Sequence, residues 1–552
     1  MTREPPYHYD SSAFRAVLER RFTYLAGVER NSHRFATRHA LHDPATDRRW
    51  TYARLWADAG RLAGGLAAAG VNAGDVVVFG LFNGGEFVLL WLAAQRLGAI
   101  ASPINFRLSS GEIAYVLDDS RPSAFIYDLG LAGTAADALA RADHAPKLVA
   151  AVGEAPSPHL PFTELMDSGD PRAAAPSPPV QASVYDETTR LYTSGTTGMP
   201  KGVSLNSLVD VLSAHDVIMH FPLSPEDRTM NMTPWFHRGG LYSGGPNPVL
   251  YVGAEAVALR AFDPAAVLDA VAERELTFLI GAPTNLALLC AEQLRRPRDL
   301  SSLTGIVTMG APLNREACLR YQKVLTPRIF NGYGTTEAFW NTFLRPSDLP
   351  AHAGSAGRAC TDDDVAVVRI YEDRLAKPDD HAAQDGTEVG EVVVRSVKAG
   401  YAYVNQPDEQ LQRFRGEWLY IGDLATWDAD EYVTIVGRKD DMIISGGENV
   451  HPTQVEAVLA EHPAVTDSAV VGLPDDRWGE LVVAYVVSSD PELDAGALEA
   501  HCHGHPMLAP FKRPRAYRFI EALPMTATGK KLHYQVRELA VRDAADGLLR
   551  RL

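Results

Sequence analysis

At 552 residues the chain is too long for a single hydrophobic core, so at least two domains are expected, a large one with subdomains and a smaller one. Its 46% hydrophobic and 22% charged content is that of a soluble globular protein, and a net charge of −17 argues against a nucleic-acid or anionic-membrane partner. Cys290, Cys318, Cys360 and Cys502 stand far apart without paired spacing, which indicates neither a disulfide framework nor a zinc motif and fits a reducing cytoplasm. Residues 1–7 lack the apolar stretch of a signal peptide. The longest apolar run, 87–94, is far short of the roughly 20 residues that span a membrane, so no membrane insertion is expected.

Residues 12–70 read as helix, short strands around 39–41 and 49–52, and a second helix. Thr51 is placed to cap that helix over 52–69, where Leu55, Ala59, Leu62 and Leu66 recur at helical spacing. A strand at 76–79, a helix at 85–97, a strand at 99–102 and a helix opened by Ser110-Gly111-Glu112 toward Asp118 follow. This alternation argues for parallel α/β layers. Between 145 and 182 the composition shifts to Pro, Ala and Ser and reads as linker. Helix 207–220, then 228–232 leading into 233–240, strand 278–280, helix 284–294 and strand 305–309 resume the alternation. From 360 to 436, short strands such as 366–370 and 391–395 predict a smaller β subdomain. After Gly437-Arg438-Lys439-Asp440 a new unit begins, with helix 453–460, strands 469–471 and 482–487, and helix 495–501. The expected architecture is α/β: a large N-terminal domain of layered α/β subdomains plus a β subdomain over 1–439, and a small α+β C-terminal domain over 440–552.

The stretch Thr193-Ser194-Gly195-Thr196-Thr197-Gly198-Met199-Pro200-Lys201-Gly202 follows the apolar Leu191. Its hydroxyls, glycines and lysine can wrap successive N–H and O–H donors around phosphate oxygens. It is not the Walker A pattern, because Lys201 follows Pro200 and precedes Gly202. The loop resembles the signature of the adenylate-forming family of acyl-CoA synthetases, nonribosomal-peptide adenylation domains and luciferases. Asn331-Gly332-Tyr333-Gly334-Thr335-Thr336-Glu337-Ala338 is similar to the family's Tyr-Gly-x-Thr-Glu motif. The resemblance implies that Tyr333 packs on adenine, Thr336 contacts the α-phosphate and Glu337 holds Mg²⁺, a cation served by one carboxylate beside phosphate oxygens. Gly310-Ala311-Pro312 stands where the family's adenine-binding segment lies. Gly416 to Asp423 resembles the ribose-binding motif, with Asp423 accepting both ribose hydroxyls. Glu417 there separates the Gly from the Trp, and Ile421 replaces the usual Thr. The segment 437–450 is similar to the family's hinge region, a resemblance which implies that Arg438 contacts ribose or phosphate, that Asp440 is the hinge, and that the Ser445-Gly446-Gly447 turn lines the pantetheine channel. Leu523 to Lys530 resembles the family's C-terminal loop. Lys530 then bridges carboxylate and α-phosphate, a contribution of roughly 3–4 kcal/mol in a dry site. Weaker similarity extends upstream through 101–108.

By the same resemblance Trp235-Phe236-His237 forms an aromatic gate to the carboxylate pocket, followed by pocket residues Arg238 and Gly239, with walls at Gly281-Ala282-Pro283-Thr284 and Ala338-Phe339-Trp340. Aromatic walls suit a flat or long apolar acid, and ordinary core aromatics are the alternative for some of them. Arg238 either pairs with a second polar group of the substrate or faces solvent. The implied reaction is ATP- and Mg²⁺-dependent activation of an aromatic or fatty carboxylate to acyl-AMP, then transfer to CoA, with Lys530, Thr336, Glu337 and His237 as the catalytic set and two domain arrangements serving the two steps. Transfer to a carrier protein, or activation of nitrite for an aryl amine, shares these motifs and stays open, as do the acid's identity and a homodimeric state. A nucleotide-binding regulator on an inactive scaffold is disfavoured because Glu337, Asp423, Arg438 and Lys530 are all present. No Ser-His-Asp set supports a hydrolase, and His501-Cys502-His503-Gly504-His505 is too crowded for a known zinc arrangement.

Overall fold

The computed structural model describes residues 11–170, 183–194, 199–311, 313, 315–371, 374–400, 402–438, 442–450, 452–506, 508–524 and 533–551. Among these the strands form four sheets. One has the order Leu160–Pro161, Leu148–Val152, Ala124–Asp128, Val76–Gly80, Ile100–Pro103, Glu187–Ser194, Pro200–Asn206. Its neighbours are parallel except for the last pair, a long antiparallel hairpin. Val76–Gly80 is buried along its whole length, as a parallel strand covered on both faces must be.

The largest sheet runs Arg358–Ala359, Phe339–Leu344, Ile329–Thr335, Gly305–Met309, Phe278–Gly281, Arg228–Asn231, Glu255–Val257, His39–Asp43, Arg48–Thr51. Helix Gly85–Leu97 belongs to the core that joins these two sheets, and its buried residues run round the helix, which accounts for its unbroken apolar run. No described helix is long and apolar enough to cross a membrane. Thr51 caps Tyr52–Ala68 by accepting the Arg54 N–H at 3.3 Å.

The described part of the expected linker, 145–170, is more structured than a linker, and 171–182 lie outside the described residues. It holds the parallel strand Leu148–Val152 and the helix Phe162–Ser168, whose Phe162 and Leu165 are buried. Strand Leu148–Val152 owes its place to neighbours remote in sequence, a cue that Pro and Ala content masks. The region after 360 forms an antiparallel sheet from Asp363–Val368, Gly390–Ser396, Phe414–Arg415, Trp418–Trp427 and Val433–Arg438. It also contains an unexpected helix, Pro407–Arg413, with Pro at its first position and Asp408 and Glu409 in its first turn.

The fourth sheet comprises Ile443–Ser445, Glu448–Val450, Val465–Asp475, Gly479–Ser488, Ala516–Phe519 and Arg550–Arg551, flanked by helices Pro452–Ala460, Ala495–Gly504 and His533–Ala545. Its two apolar clusters, one around Val470, Val482 and Leu498 and one around Val471, Val483 and Val536, are drawn from residues after 442 alone. This small unit thus carries its own core.

Candidate active site

Arg228–Asn231, Phe278–Gly281, Gly305–Met309 and Ile329–Thr335 are consecutive parallel neighbours, with Asn231 opposite Ile280, Gly281 opposite Thr308 and Met309 opposite Gly332. The loops that leave their carboxyl ends therefore emerge side by side, the edge at which open α/β sheets place ligands. Those loops hold the gate 235–237, the wall residues from Ala282 on, the segment Gly310-Ala311, and the turn Thr336-Glu337-Ala338. Gly310 takes φ 82°, a left-handed conformation that glycine adopts without strain, and it is exposed. Trp235, Ala338 and Phe339 are buried, whereas His237, Tyr333, Thr335, Thr336 and Glu337 are partly open and define the mouth.

The turn is a hairpin between Ile329–Thr335 and Phe339–Leu344. A Cβ on Gly334 would stand 1.6 Å from the Phe339 carbonyl oxygen, so only glycine fits. Phe339 holds φ 62°, rare for a bulky residue, while its ring stacks on Trp340 at 4.9 Å. Asn331 is buried and donates to the Ser355 carbonyl at 3.2 Å, while Gly332 lies under the Trp340 indole. Glu337 Oε1 accepts the Tyr403 hydroxyl at 2.7 Å, and the Glu337 carbonyl accepts the Gly400 N–H at 2.8 Å. Burial first, and the Glu337 carboxylate second, push the Tyr403 phenol well above its ordinary pKa, so it stays a hydroxyl donor.

Lys201 sits in strand Pro200–Asn206, opposite Thr193, and Ser194 pairs with Pro200. Gly195, Thr196, Thr197 and Gly198 lie outside the described residues, as do Pro312, Asp440 and Lys530. The buried Lys201 ammonium donates to Glu409 at 2.6 Å and lies 4.8 Å from the Tyr403 ring centre. Burial pushes the Glu409 carboxyl up, but Lys201 and Arg413 outweigh it and hold the group below its usual value. Segment 403–413 thus bridges the phosphate-type loop and the Glu337 turn. On the far side, Asp423 accepts the Tyr333 hydroxyl at 2.7 Å and pairs across the strands with Arg438. Ile421 is buried in the core of this sheet, and its carbonyl accepts Arg413 at 2.9 Å.

Arg238 does not face solvent. It is buried, and its guanidinium donates to the carbonyls of Thr336 and Lys398 and to the Ser213 hydroxyl. Burial lowers its pKa to about 10. The ring centres of Tyr242 and Phe339 each lie 5.4 Å from it. Tyr242 passes its hydroxyl to Asp210 at 2.6 Å, and burial raises that carboxyl to about 6. Close by, Asp216, His220 and Cys360 bring ligand-type atoms within 4.8 Å of one another. The ammonium of Lys398 already serves as the cation there, 2.9 Å from Asp216 and from Asp363.

Gate residues Trp235 and Phe236 pack edge-on against Phe87 and Phe106 at 5.7 and 5.1 Å. Gly239 lies against Met309 and Gly281 against Met232, which closes the gate over the strand ends. His237 Nε2 stands 3.4 Å from Glu448 Oε2. Glu448 belongs to the small unit, directly after a two-residue turn in which Gly446 and Gly447 take φ 60° and 79° and Ser445 faces Glu448 across the ladder. The same carboxylate accepts Asn105 at 2.8 Å and Arg107 at 2.7 Å. Burial opposes its charge, yet His237 and Arg107 hold its pKa below the ordinary carboxylate value. The glycine turn therefore abuts the gate.

Residues 28–403 match the family described as AMP-binding enzyme, and 454–530 match the AMP-binding enzyme C-terminal domain. The chain belongs to the AMP-binding enzyme family. It is 34% identical to a feruloyl-CoA synthase of Amycolatopsis over 88% of its length and 93% of that protein's. It is also 34% identical to an indoleacetate–CoA ligase of Aromatoleum aromaticum, over 90% and 94%. An amide bond synthetase of Marinactinospora thermotolerans has a similar structure, with TM-score 0.80 and 28% identity over 94% of this chain and 99% of that one. The chain falls in the acid–CoA ligase branch of the AMP-binding enzymes.

Against that family background, Tyr403 and Glu409 are site neighbours outside every motif, while Asn105, Arg107 and Glu448 lie inside the stretches 101–108 and 437–450, where the resemblance implies no role for them. The proline and paired acids at 407–409 are the one local cue to the helix that presents Glu409. Nothing local marks Tyr403, which reaches Glu337 across 66 residues of sequence.

Proposed function

We propose that this AMP-binding enzyme makes acyl-AMP from ATP and an aromatic or fatty carboxylate at the sheet edge, then hands the acyl group to the thiol of CoA. A carboxylate oxygen attacks the α-phosphorus and pyrophosphate leaves. The CoA thiolate then attacks the acyl carbonyl carbon and AMP leaves. The observation that carries the reading is the convergence of the gate, Gly310-Ala311 and the Tyr333–Glu337 turn on one edge, with the small unit's glycine turn closing on His237.

In this reading Thr193, Ser194, Gly195, Thr196, Thr197, Gly198 and Lys201 grip the phosphates, and Tyr333, Gly310 and Ala311 frame adenine. Asp423, oriented by the Tyr333 hydroxyl, takes the ribose with Arg438, and Thr336 donates to the α-phosphate. Residues around Glu337 fit Mg²⁺: a part-open carboxylate, one oxygen fixed by Tyr403, follows the hydroxyl-bearing Thr335 and Thr336 in the chain, and such oxygens are the hard ligands this ion takes together with phosphate and water. When bound, the ion offsets negative charge on the phosphate oxygens. Lys530 is assigned to the carboxylate and α-phosphate in the first step. Asp440 is assigned as the hinge and domain boundary, supported by one sheet's last strand ending at Arg438 and the next sheet's first strand starting at Ile443. The docked Ser445-Gly446-Gly447 turn supports reading this arrangement as the thiol-transfer state. Four buried free cysteines support a reducing cytoplasm as its compartment.

The test is pyrophosphate–ATP exchange with ferulate, indoleacetate, 4-chlorobenzoate and palmitate, followed by thioester analysis with CoA. Acid-dependent exchange and a CoA thioester are expected. Exchange with none of these acids, or ADP in place of AMP, overturns the reading. The likeness to an amide bond synthetase favours a second reading in which an amine receives the acyl group, and amide formation without CoA would select it.

A further inference from the structure

Beside the Glu448 contact, the small unit meets the large one through a second charged group that the reading above leaves without a task. Ser109 and Glu112 form a capping box on helix Ser110–Ser120: Glu112 Oε2 accepts the Ser109 N–H at 2.9 Å and its hydroxyl at 2.8 Å. Its other oxygen, Oε1, points at the small unit. There it accepts the Lys512 ammonium and, at 3.2 Å, the side-chain amide of Gln454. Lys512 donates in turn to Gln454 Oε1 at 2.9 Å. The side chains of Glu112 and Lys512 are 0% and 2% exposed, so the pair is shut off from water by the docking of the two units. The adjacent Gly111 N–H donates to the Pro506 carbonyl at 3.3 Å.

The polarity of this contact is opposite to that of its neighbour. At Arg107–Glu448 the large unit supplies the cation and the small unit the anion; at Glu112–Lys512 the roles reverse. A slide of the small unit, or a rotation about one pair, that displaced the other would strand its charges, so the two together narrow the docked orientations the small unit can take. A buried pair of this kind adds little net stability over an apolar contact, because both charges give up their hydration. Removal of one partner, by contrast, leaves a lone buried charge at heavy cost. Its effect is therefore selective: it penalises every near-miss orientation.

We propose that Glu112, Lys512 and Gln454 are positioning residues for the second half-reaction, registering the small unit so that the Gly446-Gly447 turn stands against the His237 gate. The inference rests on the two-step reading of function given above. On that reading the contact serves the second step alone.

The two half-reactions separate the idea from a general structural role. Pyrophosphate–ATP exchange reports adenylation, and single-turnover CoA thioester formation from preformed acyl-AMP reports transfer, both with whichever of the four acids above gives most exchange. Lys512→Met is expected to leave exchange within about twofold and to slow transfer at least about tenfold. Glu112→Gln keeps the capping box, since glutamine serves at that position, and should show the same split with a smaller loss. The double variant Glu112→Gln/Lys512→Met leaves no lone charge and should transfer faster than Lys512→Met alone. Equal losses in both half-reactions, unchanged transfer in the single variants, or a double variant showing the product of the single losses would each overturn the proposal. If Lys512→Met fails to fold, Glu112→Gln and the double variant carry the test. A wild-type chain without exchange removes the reading of function and this inference with it; normal exchange with unaffected transfer removes the inference alone.

Discussion

The two ends of the site are both built from charged side chains, but on opposite principles. At the end with the phosphate-type loop, Lys201–Glu409 and Tyr403–Glu337 join strand, helix and turn segments of one lobe, and beneath them Arg238 and Lys398 are held by carbonyls and carboxylates inside the same core. At the other end, Glu448 and Lys512 reach from the small unit to partners on the large one. The first set is covered by covalently continuous layers, so its breakage is a cost in folding. The second is covered only by docking, so its breakage is a cost in one arrangement. Charge burial of similar depth therefore serves rigidity in one place and choice of arrangement in the other.

The contrast is sharpest at Lys398. Lys398→Met leaves Asp216 and Asp363 buried without their cation and should destabilise the large lobe by about 4 kcal/mol, read from its denaturant midpoint. A loss of transfer activity without a shift in midpoint would erase the distinction. Next in size, Glu337→Gln should lower pyrophosphate exchange by about 10²-fold or more while the midpoint stays, because on the proposed reading it removes the carboxylate that would hold the cation offsetting the phosphate charge.

Asp210 tests the folded core by pH. Burial raises its carboxyl from 3.8 to about 6, so the folded chain holds the proton more tightly than the unfolded one. The group's contribution is most favourable below the unfolded value and declines as pH rises through the window from about 4 to about 6. The full change is about 2–3 kcal/mol at 1.4 kcal/mol per pKa unit. Asp210→Asn should flatten that slope in a urea series. The smallest effect belongs to the docked end. Glu448→Gln should leave the midpoint unchanged and slow CoA transfer by about tenfold, since a neutral amide replaces a charge-assisted acceptor. Because His237 and Arg107 depress the Glu448 pKa, its docking contribution is intact above the ordinary carboxylate value of 4.5 and fades only as pH falls below it.

What could be read from residues alone follows the range of the forces involved. Thr51 as a cap, helix Ser207–His220 and strand Gly305–Met309 are legible because cap chemistry and apolar period are local. Strand Leu148–Val152 is not, because its strand character comes from Ala124–Asp128 beside it. The nucleotide-type loops are legible as contiguous motifs for the same reason: each leaves one strand end. Their partners are hidden, since Glu409 meets Lys201 across 208 residues and Lys512 meets Glu112 across 400. Arg238 shows the limit most plainly. Its neighbours in sequence suggest a substrate contact or a solvated cation, and only the packing of Phe339, Tyr242 and Lys398 around it reveals a cation held by carbonyl oxygens.

The side-by-side exit of the gate, the wall after Gly281, Gly310-Ala311 and the Glu337 turn from four adjacent strands carries one more consequence. Each segment is rooted in its own strand, so one can be exchanged without disturbing the hydrogen-bonded frame of the others. On the function proposed above, retargeting the protein to a different acid becomes a matter of grafting 235–239 or 281–284, with the proposed nucleotide grip left untouched.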